Sequence, residues 1–256
     1  MGTQALDRWL RINALFVSVV IALGTVACTR GQQIRQQALA DSSAVTFAAP
    51  DGTTLAGRIF GPGNARTGVV FAHMLPADQS SWFDVADYVG RRGYRALTFD
   101  FRGYCPGGDA GCSQGVKDPS AAADDLSAAV EFLRAGNVRT IALVGASMGG
   151  TAAMVVSSTA GDQIAAVITL SAPAAIDGLQ AGPETVQTVT AAKLFIAGSG
   201  DAQAAAAAQA FYDQSLQPKD VQILTSDDHG TDLLEGNQSE ATRDLITDWL
   251  GRFAPA

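Results

Sequence analysis

Short apolar runs alternate along the chain with longer segments in which apolar residues recur every three or four positions. The runs have the length of buried strands, and the segments between them have the spacing of amphipathic helices. The predicted strands are 68–72, 95–99, 141–144, 165–170, 193–197 and 221–224. The predicted helices are 80–89, 120–135, 150–158, 202–216 and 239–253. Strands that alternate with helices predict an α/β fold with a mostly parallel central sheet and helices on both faces.

An antiparallel hairpin is predicted ahead of this alternation. Residues 45–49 and 55–60 are rich in apolar side chains, and Asp51-Gly52 between them favours a tight turn. Residues 171–190 have no clear period and contain proline and glycine, so a lid inserted there would be a minimal one. We therefore expect residues 44–256 to form one domain.

The N-terminus has the pattern of an export signal. Arg8 and Arg11 precede an apolar run, 12–27, that is short for a transmembrane helix but suits a secretory signal peptide. We therefore expect residues 1–27 to be a signal peptide and the domain to be exported to the cell envelope, the periplasm or the medium.

The end of this apolar run resembles a bacterial lipobox, in which a cysteine is lipidated and becomes the new N-terminus. The sequence Leu23-Gly24-Thr25-Val26-Ala27-Cys28 departs from that pattern at Thr25, where such sites usually carry leucine. In this interpretation Cys28 anchors a membrane lipoprotein, and the polar, Gln-rich residues 28–43 are a tether. Ordinary cleavage after a small residue and an uncleaved anchor are the alternatives.

The remaining two cysteines, Cys105 and Cys112, lie in a Gly-rich loop and are close enough in sequence to form a disulfide. An oxidising compartment would permit that bond. Two free thiols or a metal-binding pair are the alternatives, but no neighbouring histidine or second cysteine pair indicates zinc.

Composition excludes some classes of partner. With 256 residues, of which 47% are hydrophobic, the chain can bury one sizeable core. The net charge is −8 and the body of the chain has no basic cluster, so nucleic acid is not expected as a partner. The sequence does not indicate an oligomeric state.

The strongest motif is Gly145-Ala146-Ser147-Met148-Gly149, which stands between a predicted strand and a predicted helix. Gly-x-Ser-x-Gly in this context is a nucleophile elbow, where small flanking residues let the strand and helix approach closely. The turn exposes the hydroxyl of Ser147. The amide of Met148 lies at a helix start, where negative charge is stabilised.

The chain resembles the α/β-hydrolase superfamily over roughly residues 45–253. The resemblance rests on this elbow and on the order of three residues that each follow a predicted strand: Ser147, Asp201 and His229. It implies the α/β-hydrolase fold and a Ser-Asp-His catalytic triad that needs no cofactor and no metal. Serine esterases and dienelactone hydrolases are similar, although the latter usually carry cysteine at the elbow.

The chemistry requires these three residue types. A serine hydroxyl is a poor nucleophile at neutral pH, so it needs a base, and the base needs a carboxylate to fix its tautomer. The chain has two histidines, and the other, His73, is expected to hold a loop structurally. For the acid, Asp177, Asp227 and Asp228 are alternatives to Asp201.

The resemblance also implies an oxyanion hole made by the amides of Met148 and Met74. Met74 stands where many family members have glycine, so its side chain is expected to crowd the site. Candidate walls of the substrate pocket are Leu75, Trp82 and Tyr104. Arg102, in an Arg-Gly turn, is expected to form a structural ion pair.

These features predict a serine hydrolase that cleaves small or soluble carboxylic esters through an acyl-enzyme on Ser147. Peptide or amide substrates, perhydrolysis and a non-catalytic envelope protein that binds a ligand on the same scaffold are the alternatives. The expected partners are a small-molecule ester and, through the lipid anchor, a membrane.

Overall fold

The computed structural model describes residues 36–105 and 111–256. The chain divides into two units, Met1–Ala40 and Asp41–Ala256, and in the first unit the described residues 36–40 are helical. The predicted signal peptide, Cys28 and the first part of the tether lie outside the described residues. No helix within the described ranges is long and apolar enough to cross a membrane.

Eight strands of the second unit form one sheet in the order β1-β2-β4-β3-β5-β6-β9-β10. The strands in chain order are β1 (Ser43–Ala48), β2 (Thr54–Phe60), β3 (Thr67–Ala72), β4 (Arg95–Phe99), β5 (Thr140–Ala146), β6 (Ile164–Leu170), β7 (Ala175–Ile176), β8 (Leu179–Gln180), β9 (Ala192–Gly198) and β10 (Lys219–Leu224). β2 is antiparallel to β1 and β4, and the other neighbours in the large sheet are parallel. The predicted mostly parallel sheet with a hairpin at its start is confirmed.

Helices surround the sheet. The α-helices of the second unit are α1 (Phe83–Gly90), α2 (Ala122–Ala135), α3 (Met148–Ala160), α4 (Pro183–Thr188), α5 (Ala202–Gln214) and α6 (Ser239–Phe253). Strands β3 and β9 are buried at every position, because side chains on both faces of the sheet are covered. This burial explains why the central strands appear in the sequence as continuous apolar runs.

The segment between β6 and β9 contains structure that the sequence pattern did not indicate. β7 and β8 form a small antiparallel hairpin, and the short helix α4 follows it. Elements this short have too few residues to show a period. The hydroxyl of Thr151 on α3 donates to the carbonyl of Pro173 at 2.7 Å, which ties this segment to the body of the domain.

The strand register brings the carboxyl ends of the central strands to one edge. Opposite one another lie Ala72 and Gly145, Ala146 and Leu170, and Leu170 and Ile196. The residues that follow these strands therefore lie side by side, at the edge where ligands bind in open α/β sheets.

Candidate active site

Ser147 occupies a strained turn between β5 and α3. Its backbone has φ 46° and ψ −115°, a left-handed conformation that residues with a side chain adopt rarely. The turn is fixed on both sides by backbone hydrogen bonds. The N–H of Ser147 donates to the carbonyl of Leu170 at 2.8 Å, and the backbone carbonyl of Ser147 accepts from the N–H of Gly150 at 2.9 Å. The predicted strand-turn-helix geometry of the elbow is present.

The small residues around Ser147 are required by close backbone contacts. A Cβ on Gly149 would overlap the carbonyl groups of Ala72 and His73, so the start of α3 packs directly on the end of β3. Ser147 is 6% exposed. Its hydroxyl forms no hydrogen bond with any residue that the structure describes, and it is not enclosed by the protein.

His229 and Asp201 form a hydrogen-bonded pair at the same edge. His229 Nδ1 lies 2.5 Å from Asp201 Oδ2. Asp201 also caps α5, where its other carboxylate oxygen accepts the N–H of Ala204 at 3.3 Å. The carboxylate is thus anchored at the helix start, and a ring whose Nδ1 donates to it leaves Nε2 free to accept a proton.

The other candidate acids have different contacts. Asp228 accepts a hydrogen bond from the Ser226 hydroxyl at 2.6 Å and belongs to the turn before His229. Asp177, with φ 41°, forms the turn between β7 and β8. Within the described part of the chain, neither these two nor Asp227 is hydrogen-bonded to His229.

The turn that carries His229 packs on the elbow. A Cβ on Gly230 would lie 3.4 Å from the Cβ of Ala146 and 2.5 Å from Sδ of Met74. No hydrogen bond joins Ser147 Oγ to the His229 ring among the described residues, and such contacts are often loose without substrate. Serine, histidine and aspartate nonetheless occupy the ends of three strands at one edge of the sheet.

His73 holds the loop that contains Met74. His73 is fully buried, and burial lowers its pKa to about 4, so the ring is neutral at pH 7. Its Nε2 accepts the N–H of Phe101 at 3.1 Å, so Nδ1 carries the proton and donates to the Met74 carbonyl at 2.9 Å. These contacts assign His73 a structural role.

Buried polar groups behind His73 support the same loop. Gln79 donates from its backbone N–H to Asp100 at 2.8 Å and from its side chain to the same carboxyl group at 2.7 Å. Burial raises the pKa of Asp100 to about 6. The hydroxyl of Ser113 in turn donates to the backbone carbonyl of Asp100 at 2.5 Å, so this network connects the loop that contains Met74 to the loop after β4.

Two kinds of amide are available to stabilise an oxyanion. Met148 is the first residue of α3, so its N–H has no partner within the helix. The N–H groups of Met74 and Leu75 form no hydrogen bond within the part of the chain that the structure describes. Met74 is 7% exposed, and its sulfur packs against Gly230, so its side chain crowds the His229 turn.

The structure corrects the expected pocket walls. Trp82 is fully buried and lies 5.2 Å from Phe71, centroid to centroid, so it belongs to the core. Tyr104 is 4% exposed and packs edge-on against His73 at 4.6 Å between ring centroids, so it supports the loop that contains Met74. Leu75 is half-buried and packs against the core. Periodicity could not separate a core aromatic residue from a pocket wall.

The cavity beside His229 has different walls. It has a volume of about 250 Å³ and is lined by Ser171, Pro173, Ala175, Ile176, Asp201, Gln203, Ala204 and His229. Ser171 and the hairpin residues Ala175 and Ile176 were not among the walls predicted from the sequence. One signal could have found Ser171: it directly follows a buried strand, as Ser147 does.

Two loop features lie behind the site. Arg102 contacts Asp125 at 2.6 Å and Asp51 at 2.8 Å, which is a structural ion pair of the expected kind. Cys105 and Cys112 are joined by a disulfide. No group of three or more metal-ligating side chains is present among the described residues.

Comparison with known proteins agrees with the observed fold. A family model described as alpha/beta hydrolase fold matches residues 68–239. An esterase from Pyrococcus furiosus is similar in structure, with a TM-score of 0.68 and 18% identity over 83% of this chain and 92% of that chain. An esterase from Thermogutta terrifontis, solved with malate bound, has a TM-score of 0.64 and 19% identity over 82% of this chain and 98% of that chain. A dienelactone hydrolase from Anabaena variabilis has a TM-score of 0.67 and 19% identity over 83% of this chain and 97% of that chain.

Proposed function

This chain belongs to the alpha/beta hydrolase fold family, and on that premise we propose that it is a serine hydrolase of small or soluble carboxylic esters. The observation that carries the proposal is the hydrogen bond of 2.5 Å between His229 and Asp201 at the sheet edge where Ser147 follows β5. A scaffold that only binds a ligand has no need for this combination. The solved structures with similar folds include esterases, which supports ester substrates.

In the first half of the proposed reaction, His229 Nε2 takes the proton of Ser147 as Oγ bonds to the ester carbonyl carbon. The carbonyl oxygen becomes an oxyanion, stabilised by the N–H of Met148 and by an amide of the Met74 loop. The imidazolium, held by Asp201, then gives its proton to the ester oxygen. The C–O bond breaks, the alcohol leaves and an acyl-enzyme remains.

In the second half, His229 removes a proton from water as the water oxygen bonds to the acyl carbon. The tetrahedral intermediate uses the same donors. Its collapse breaks the bond to Ser147 Oγ, which takes back the proton from the imidazolium. The carboxylic acid leaves, and every group of the protein returns to its starting state.

The size of the cavity supports small substrates. A volume of about 250 Å³ corresponds to roughly eight water molecules. The segment over it consists of one two-stranded hairpin and a six-residue helix, α4, which is too little to cover a long acyl chain. We therefore favour short esters over lipids.

Covalent labelling tests the proposal. A fluorophosphonate probe is expected to label the wild-type domain, and Ser147→Ala should abolish labelling, because the probe bonds to an activated serine oxygen. Ser157→Ala is the matched control, since Ser157 is a buried serine on α3, the helix that begins at the elbow. A folded wild-type domain that stays unlabelled would contradict the proposal and favour a binding protein.

We also propose that the protein is exported and anchored through a lipid on Cys28. The proposal rests on the apolar run before Cys28 and on the polar residues after it. Expression of the full chain in bacteria with radiolabelled palmitate should label the wild type and leave Cys28→Ala unlabelled. Labelling that persists in the variant would overturn the anchor.

A further inference from the structure

Ser171 is a second serine in a strained turn, and its hydroxyl is unpaired. It follows β6 directly and has φ 53°. It is 1% exposed, and its Oγ is buried with no hydrogen-bond partner. Both properties cost stability, because side chains disfavour this backbone region and a buried hydroxyl without a partner loses its hydration.

The surroundings of Ser171 distinguish it from other buried hydroxyls. Ser157 and Ser215 also have unpaired hydroxyls, but neither lines the cavity beside the candidate triad. Ser171 lines this cavity together with His229 and Asp201. A residue that lines a binding cavity and has a buried, unpaired hydroxyl is suited to form its missing hydrogen bond with a ligand.

The wall around Ser171 is held rigidly. Its N–H donates to the carbonyl of Ile196 at 2.8 Å, and the carbonyl of Pro173 accepts from Thr151 at 2.7 Å. The N–H of Ala181 donates to the carbonyl of Ala174 at 2.8 Å, which closes the hairpin segment. Because the backbone is fixed by these contacts, the freedom left to the hydroxyl is rotation about Cα–Cβ.

The rest of the lining decides which ligand fits. Pro173, Ala175, Ile176 and Ala204 supply apolar surface, and the exposed amide of Gln203 adds a polar group in the first turn of α5. A hydroxyl and an amide recognise neutral oxygen atoms. No lysine or arginine lines the cavity to pair with a charged group.

We propose that Ser171 determines specificity by hydrogen-bonding an oxygen substituent of the substrate, so that the preferred esters are short ones with a hydroxyl or oxo group near the ester linkage. The inference rests on the proposed function. The substituent lies near the linkage because Ser171 and His229 share one cavity of about 250 Å³. This oxygen substituent belongs to either the acyl part or the alcohol part of the ester, and the test examines each part in a separate arm.

The test compares kcat/KM for matched esters by titration of the released acid. The acyl arm uses methyl butyrate, methyl 3-hydroxybutyrate and methyl acetoacetate. The alcohol arm uses propyl acetate and 3-hydroxypropyl acetate. In one arm the wild type should prefer the oxygenated ester, and Ser171→Ala should lower kcat/KM for that ester about tenfold while changing the plain ester less than about twofold.

Two further variants separate recognition from structure. Ser171→Gly removes the hydroxyl but relieves the backbone, so it should lose the same preference as Ser171→Ala. Ser157→Ala removes an unpaired hydroxyl outside the cavity and should keep the wild-type ratio. Equal losses on plain and oxygenated esters, or an unchanged ratio in both arms, would overturn the inference while leaving ester hydrolysis intact.

A binding measurement decides the inference without turnover. In the Ser147→Ala protein, methyl 3-hydroxybutyrate or 3-hydroxypropyl acetate should bind about fivefold more tightly than methyl butyrate or propyl acetate by NMR titration, and adding Ser171→Ala should remove that difference. Equal binding of all four compounds would reject the role of Ser171. If the wild type hydrolyses no ester while the Ser147→Ala protein still shows the difference in binding, the proposed function is rejected and the role of Ser171 stands.

Discussion

Strands β5 and β6 are neighbours, and each ends at a serine with a left-handed backbone. Ser147 has φ 46° and Ser171 has φ 53°. Each serine donates its N–H across to the adjoining strand at 2.8 Å, Ser147 to Leu170 and Ser171 to Ile196. The φ angles and the N–H hydrogen bonds of the two serines are alike, so these two features do not separate the proposed roles of the two turns.

The two turns differ in the residues that follow each serine. A helix starts immediately after Ser147, which supplies unpaired N–H groups for a developing negative charge. Ala172 and Pro173 follow Ser171 and lead to the β7-β8 hairpin, which supplies walls. A strained serine at a strand end is therefore suited to reaction or to recognition according to the element that comes next.

Gly150 lies between the two turns. A Cβ on Gly150 would lie 2.7 Å from the Cβ of Ala172, the residue after Ser171. The start of α3 and the turn after β6 are therefore in direct contact. This contact places the proposed nucleophile next to the proposed specificity-determining wall at one sheet edge.

The largest effect is expected at Asp201, which serves both turns by orienting His229 and lining the cavity of Ser171. Asp201→Asn should lower kcat about 10³- to 10⁴-fold, because an amide favours the wrong tautomer of the histidine. Asp228→Asn and Asp177→Asn should stay within about tenfold of wild type in steady-state assays. Comparable losses in all three variants would remove the assignment of the acid.

Stability should distinguish the tightly packed elbow from an open helix position. Gly149→Ala should destabilise the domain by about 3 kcal/mol, because the new Cβ meets the carbonyl groups of β3. Gly251→Ala on α6 is the matched control, since nothing lies within 4 Å of its added Cβ. The control should gain about 0.5–1 kcal/mol in urea unfolding, and a similar gain for Gly149→Ala would disprove the close contact.

Relief of strain should be measurable at Ser171. Ser171→Gly should raise the free energy of unfolding by about 1–2 kcal/mol, because it removes both the unfavourable φ and an unpaired buried hydroxyl. Asn137→Gly, at an exposed turn with φ 84°, removes only the backbone term and should gain a few tenths of a kcal/mol. If Ser171→Gly loses stability, the hydroxyl has a structural partner and the comparison of the two turns fails.

A different kind of effect, on the pH dependence of stability, is expected at the opposite end of the sheet, where a buried polar group does have partners. Lys193 is fully buried and donates to the carbonyls of Val189 and Ala191 at 2.9 and 2.7 Å. Burial lowers its pKa to about 8 from 10.5. Between these values the unfolded chain binds the proton and the folded chain does not, so stability should rise with pH.

The pH dependence of urea unfolding from pH 7.5 to 10 checks this sign. Wild type should gain stability relative to Lys193→Met as the pH rises, whereas the exposed Lys117→Met should follow the wild-type curve. Parallel curves for wild type and Lys193→Met would mean that the buried amine keeps its ordinary pKa. Ester hydrolysis at pH 7 should persist in both variants, because neither residue lines the cavity.

Local patterns predicted the sheet because the central strands are covered on both faces and therefore appear as continuous apolar runs. The observed β4 has the predicted bounds, Arg95–Phe99, and α6 coincides with the predicted helix, Ser239–Phe253. The hairpin β7-β8 was missed because two-residue strands have no period. Trp82 was misplaced because an aromatic residue at helical spacing fits a core and a pocket equally well.

The elbow at Ser147 and the order of serine, aspartate and histidine were determined by the sequence alone, since they depend on residue types next to strand ends. The sequence predicted Asp201 as the acid with Asp177, Asp227 and Asp228 as alternatives, and only the tertiary structure shows that Asp201 is the one hydrogen-bonded to His229. Only the tertiary structure shows that Ser171 lines the same cavity as His229. Contacts between residues far apart in the chain depend on strand order and register, which bring the ends of β5, β6, β9 and β10 together and which no local pattern encodes.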